Sequence, residues 1–176
     1  MDLLAHALWA GAAAEMLRRR RGLGTAPAIA LVGLSVLPDL MQGLPVAAWA
    51  LASGQGPTLL WDFATALPGQ EPTLPETVQF FSHHLHCIGH SAVIAAGVTA
   101  LALALRWRHT IVLAGWWLHI VIDMFTHSAD FYPVPVLYPF TMTGFDGLAW
   151  NTPWFQALNY GALAGTLLWL WRSRLR

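Results

Sequence analysis

Long apolar stretches, each closed by a short polar or proline-rich segment, organise this chain. Crossing a hydrocarbon core takes roughly 20 apolar residues in α-helix. Five stretches approach that length: about Leu3–Leu17, a stretch from Ala26 to Ala52, about Ile88–Leu105, about Ile111–Thr126 and about Pro153–Trp171. The second is interrupted by Pro38-Asp39, and proline lacks the backbone donor a helix interior needs. The pattern predicts an all-α helical bundle of about five membrane spans, with the second span broken at Pro38-Asp39. Residues 1–176 form one integral-membrane domain in this reading. Two proline-rich connectors separate the stretches, over 53–87 and 128–152, and both exceed ordinary loop lengths.

Composition supports a bilayer as solvent. The chain is 56% hydrophobic and 10% charged, with ten Trp, whereas soluble domains carry about 25% charged residues. Formal net charge is zero, so no overall field attracts nucleic acid. The single cysteine, Cys87, excludes an internal disulfide and a cysteine-only zinc site. The first apolar stretch precedes Arg18–Arg21, the reverse of a cleaved signal peptide, so a retained helix with its N-terminus outside is expected.

Charge distribution then fixes an orientation. All nine fixed cations are arginines, in the groups Arg18–Arg21, Arg106 with Arg108, and Arg172, Arg174 and Arg176. With five spans and the N-terminus outside, all three groups fall on one side. The positive-inside rule makes that side cytoplasmic. The C-terminus is then cytoplasmic, and both long connectors are extracytoplasmic.

Ionisable groups inside spans are costly and mark function by default. His6 lies in the first span and Asp39 at the second span's break. His90 opens the third, and His119, Asp123 and His127 lie along the fourth. Counted from the arginine ends at 1.5 Å per residue, His6, Asp39, His90 and Asp123 lie ~17–22 Å deep. Four helices therefore bring a polar group to one level. His119-x-x-x-Asp123-x-x-x-His127 sits on one helix face, drifting ~40° per step. Imidazole nitrogens and carboxylate oxygens are the usual ligands of zinc and similar divalent ions.

The expected metal ligands are His6, Asp39, His90, His119 and Asp123, with His84, His86 and His127 as peripheral candidates. Asp39 or Asp123 is a candidate general base. Asp2 is expected to accept from the His6 ring, and Ser91 to support the site by hydrogen bonding. His109, between Arg108 and Thr110, reads as a surface residue.

The opening MDLLAH, the LPD at Leu37–Asp39, the His90-Ser91 pair and the His119-x-x-x-Asp123 helix followed by THSADFYPVPVLYPF carry a resemblance. In order and spacing they look like the small bacterial inner-membrane metal-dependent hydrolases, a family that includes the LexA-regulated membrane hydrolases. The resemblance covers residues 1 to about 140. Leu4 and Ala5 stand where that family typically has Pro and Thr, and His86 where it has an aromatic. A weaker similarity is to the all-helical zinc-dependent phospholipase C enzymes, although His127 follows Asp123 more closely than it does there. The resemblance implies a hydrolase and supplies no substrate.

The expected activity is metal-dependent hydrolysis of a phosphoester or ester bond in a membrane lipid or amphiphile at the outer face of the bacterial inner membrane. Zinc is the expected ion, with manganese or iron as alternatives. A rival expectation is a divalent metal-ion transporter, or a metal-binding membrane protein without catalysis. Transport needs polar groups continuing to the far side, and the inner halves of the stretches are almost wholly apolar apart from Glu15. Haem binding is disfavoured by Asp39 and Asp123, since carboxylates are unhelpful beside haem iron.

Overall fold

A computed structural model describes residues 1–67 and 69–174; Pro68 of the first connector and Arg176 of the last arginine group lie outside them. Seven α-helices account for most of it: α1 Leu3–Arg21, α2 Thr25–Ala52, α3 Gly56–Thr65, α4 Glu76–Gly89, α5 Ala92–Ala104, α6 Ala114–Thr126 and α7 Pro153–Arg172. A 3-10 turn, Thr110–Leu113, leads into α6. No strand occurs among the described residues; Ser128 and Phe131 make one isolated bridge. The all-α expectation holds.

Local chemistry sets the helix ends. Asp2 caps α1 by accepting from the Ala5 amide at 2.9 Å, and Gly22, with φ +65°, closes it in the left-handed region. Glycine takes that conformation without a Cβ penalty. Arg18–Arg21 fill the last turn, where cations complement the helix dipole. Pro153 opens α7 at a position whose amide would have no helical partner.

The break expected in the second apolar stretch is absent. Helix α2 runs unbroken through Pro38 and Pro45. Proline is tolerated inside an apolar helix when neighbouring helices satisfy and support the freed backbone, and α4 packs directly on Pro38. A Cβ on Gly89 would come within 2.9 Å of the Pro38 Cβ. The discontinuity falls instead in the third stretch, where α4 and α5 meet at 54° around His90-Ser91. That bend is internally satisfied. Ser91 caps α5 by accepting from the Ile94 amide at 3.1 Å, and the Ala92 amide donates to the Val136 carbonyl at 2.9 Å.

The first connector is also not a loop. Residues 53–87 contain α3 and most of α4. Leu59, Leu74 and Val78 bury themselves there against Val46 and Ala50 of α2. Apolar residues spaced by three and four explain this helicity; Pro57 lies in the first turn of α3 and Pro75 caps the start of α4. The second connector, 128–152, has no regular helix.

Helix α2 is the hub, packed against α1, α3, α4 and α6. Close approach of α6 depends on Gly115, where a Cβ would lie 1.9 Å from the Leu31 carbonyl oxygen. The arginine-bearing ends gather at one end of the bundle. Glu15 pairs with Arg19 at 2.9 Å and with Arg174 at 2.8 Å, tying α1 to the end of α7. Trp107 and His109 line a cleft with Ala26 and Pro27 beside the start of α2. Next to that end the core is apolar, with Ala10, Ala14, Ala28 and Leu31 buried against Ala114 and Leu118.

Among the described residues, α2 is the one helix long and apolar enough to cross a membrane, and the bent pair α4–α5 passes the same criterion as one span.

Candidate metal centre

Three helices and the α4–α5 bend converge on one buried point. His6 comes from α1, Asp39 from α2, His90 from the bend, and His119 and Asp123 from α6. All but Asp39 are buried; the Asp39 side chain keeps 20% of its surface exposed.

Second partners aim the rings. His90 Nδ1 lies 2.8 Å from the His86 carbonyl, and His119 Nδ1 lies 2.7 Å from the Ser35 carbonyl. A carbonyl oxygen only accepts, so each Nδ1 carries the proton and donates. In the neutral rings both Nε2 atoms then present lone pairs, and they face each other at 3.0 Å. His90 Nε2 is also 3.2 Å from Asp123 Oδ2, and His119 Nε2 is 3.3 Å from the same oxygen. His6 Nε2 lies 2.8 Å from Asp123 Oδ1 but makes no hydrogen bond, and its Nδ1 has no partner either. Lone pairs and carboxylate oxygens thus share one small volume. The Met1 amino group against Asp123 Oδ1 supplies part of the positive charge this cluster needs, and a bound cation or extra protons on the rings would supply the rest, because like-signed groups in a buried site repel strongly.

A cation fits the spacing. Zinc bonds of ~2.0–2.1 Å in tetrahedral geometry place ligand atoms about 3.4 Å apart. The Nε2 atoms of His90 and His119 lie 3.0 Å apart and 3.2–3.7 Å from the nearest oxygens of Asp123 and Asp39. His6, Asp39, His119 and Asp123 together could hold a metal ion, with one ligand atom of each within 4.8 Å of the others.

The remaining candidates separate by position. His127 ends α6, its Nε2 3.4 Å from Asp123 Oδ2 and its Nδ1 buried without a partner. The Met1 amino group lies against Asp123 Oδ1 and 3.1 Å from His127 Nε2. His86 is buried beside the centre, its ring 4.0 Å from that of His90. Its nitrogens meet Gln42 Oε1 at 3.0 Å and the Pro133 carbonyl at 3.2 Å, so it ties α2 to the second connector. His84 is turned away, its ring against Phe80 and its Nδ1 on the Phe80 carbonyl. Ser91 donates to the Tyr138 carbonyl at 2.6 Å while capping α5; its hydroxyl is committed to structure. Asp2 does not meet the His6 ring. It caps α1 and accepts from the Tyr160 hydroxyl at 2.8 Å.

Other contributors carried no sequence signal. The Ser35 carbonyl aims His119 as backbone, whatever its side chain. Gln42 is an ordinary polar residue until the fold sets it beside His86. A cavity of about 250 Å³ opens outside His86, lined also by Gln42, Phe63, Glu71, His83 and Tyr132. Burial and the nearby Glu71 charge push the Tyr132 hydroxyl up to about 12, so it stays a neutral donor at the mouth. The Gly147 amide donates to the His127 carbonyl at 2.9 Å, and Trp150 to Thr126, holding the end of α6 under the second connector.

Comparison with known proteins adds no name to this geometry: no family model matches the chain, nor does any curated protein or solved structure.

Proposed function

We propose that this chain is a membrane-embedded, metal-dependent hydrolase that cleaves a phosphoester or ester bond of a lipid or amphiphile at the outer face of the bacterial inner membrane. One observation carries the reading: imidazole nitrogens and two carboxylates converge at metal-ligand spacing, in a buried cluster whose most exposed member is Asp39. A divalent ion, zinc first and manganese or iron as alternatives, would supply Lewis acidity and an acidified water there. His6, His90, His119 and Asp123 would hold it. Asp39, at the open side, suits the general base that takes the water's proton. The cavity beside His86 provides room for the polar part of a substrate.

The bilayer setting draws support from the surface. Helix α7 buries only Leu163 and Leu170, and α5 only Ala95, while Leu101, Leu103, Leu168 and Trp169 are exposed. Soluble monomers rarely expose apolar surface on this scale. In the proposed topology α1, α2, α4–α5, α6 with its 3-10 turn, and α7 are the five spans, arginine ends cytoplasmic. Transport is the weaker reading, because the apolar core of Ala10, Ala14, Ala28 and Leu31 closes the way from the centre to the arginine end.

The test is turnover of lipid and phosphoester substrates by the purified chain, before and after chelation. Activity is expected to vanish on stripping and return with zinc or manganese. Asp39→Asn should lower kcat by ~10²-fold or more, the usual range for a general base. Full activity in metal-free protein would overturn the proposal.

A further inference from the structure

The centre holds more donors than one ion uses. Zinc in a catalytic site takes three protein ligands and an open position. Here four imidazoles and two carboxylates lie in contact: His6, His90, His119, His127, Asp39 and Asp123.

Their arrangement divides them. Asp123 Oδ2 lies 3.2 Å from His90 Nε2 and 3.3 Å from His119 Nε2, whereas Asp123 Oδ1 faces His6 Nε2 at 2.8 Å and the Met1 amino group, which a second ion would displace. Asp39 repeats the division. Its Oδ1 is 3.5 Å from His90 and 3.7 Å from His119, and its Oδ2 is 3.9 Å from His6. Each carboxylate therefore turns one oxygen to the His90–His119 pair and the other to His6. His127 stands at the rim, on the Oδ2 side of Asp123.

We propose that the centre binds two divalent ions, bridged by Asp39 and Asp123, with His90 and His119 on one ion and His6 on the other. The inference rests on the metal-centre reading above, extends it to a second ion, moves His6 to that ion and makes Asp39 a bridging ligand in place of the general base. A single bridging carboxylate would leave the charge of a second ion poorly offset; two carboxylates oppose four positive charges with two negative ones in a buried site. Both Nε2 sets are buried, so neither position is a surface ion pair. The His6 ring, with no hydrogen bond at either nitrogen, is otherwise an unpaired buried polar group, which native structures avoid.

The experiment uses the full chain in detergent, stripped with chelator and refilled with Mn(II). Bound metal per chain is counted by plasma mass spectrometry, and spin coupling is read by electron paramagnetic resonance. Two ions per chain with a coupled-pair spectrum are expected. His6→Ala should bind one uncoupled ion, and circular dichroism should confirm that it is folded. Should His6→Ala fail to fold, the wild-type count and coupling decide by themselves. A wild-type ratio of one overturns the two-ion proposal and leaves the single-ion centre standing. A ratio of zero overturns both. Two ions without coupling overturn the carboxylate bridge. A ratio that falls from two to one in His84→Ala assigns the second ion to the surface and also overturns the proposal.

Discussion

Asp123 contacts more of the centre than any other side chain, touching His6, His90, His119 and His127 within 3.4 Å. Asp123→Asn keeps its volume and removes its charge. Loss of a supporting partner alone typically costs a metal site ~10–100-fold in affinity, and loss of a ligand at least as much. Zinc affinity of Asp123→Asn, measured by competition with a chromophoric chelator, should fall by tenfold or more. Ser91 separates a structural role from a chemical one. Its hydroxyl caps α5 and donates to Tyr138. Ser91→Ala should cost ~1–3 kcal/mol in stability, the price of a lost cap and an unpaired carbonyl, while metal content stays unchanged. Loss of the metal with intact stability would show that Ser91 acts at the centre itself.

Between elements, the spacing of α2 and α6 sets the ligand geometry, because Asp39 stands on one and His119 and Asp123 on the other. Gly115 permits that spacing: its missing Cβ would otherwise meet the Leu31 carbonyl at 1.9 Å. Backbone cannot swing aside as a side-chain tip can, so Gly115→Ala must push the helices apart. Overpacking of this kind costs ~1–3 kcal/mol. The expected result is a lower thermal midpoint together with weaker metal retention on dialysis. Gly11 in α1 is the control, since a Cβ there meets nothing within 4 Å. Gly11→Ala should be neutral or stabilise by ~0.5–1 kcal/mol through better helix propensity.

Across the whole molecule, an ion joining α1, α2, α4–α5 and α6 would make metal binding part of folding stability. Chelation should lower the thermal midpoint, and zinc should restore it. Because imidazole ligands must be deprotonated, metal retention should weaken as pH falls; equilibrium dialysis across a pH series reads this directly. Orientation has its own test. Cysteine placed at Gln70 should react with a membrane-impermeant maleimide on intact cells that admit it to the periplasm. Cysteine placed at Arg20 should react only after lysis. The reverse pattern would invert the topology. Cys87 is fully buried and should add little background.

The sequence alone was sufficient for the helical class, the helix positions of α1, α6 and α7, and the identity of the clustered residues. Those follow from apolar length, from the cost of charge in an apolar stretch, and from the rise per residue of a helix, all of which are local or additive. It placed the helix break on Pro38, because proline's missing donor is visible in the sequence while the neighbour that compensates for it is not. Tertiary structure moved the break to His90-Ser91, where Ser91 and the Val136 carbonyl satisfy it. It turned much of residues 53–87 into helix packed on α2, took Asp2 and Ser91 for helix caps, and set His84 outside. Above all, packing decided which way each ring points. The His86 and Ser35 carbonyls hold the protons of His90 and His119 on their outer nitrogens, and the polar residues that share one depth in the sequence become a buried site with both Nε2 atoms turned inward.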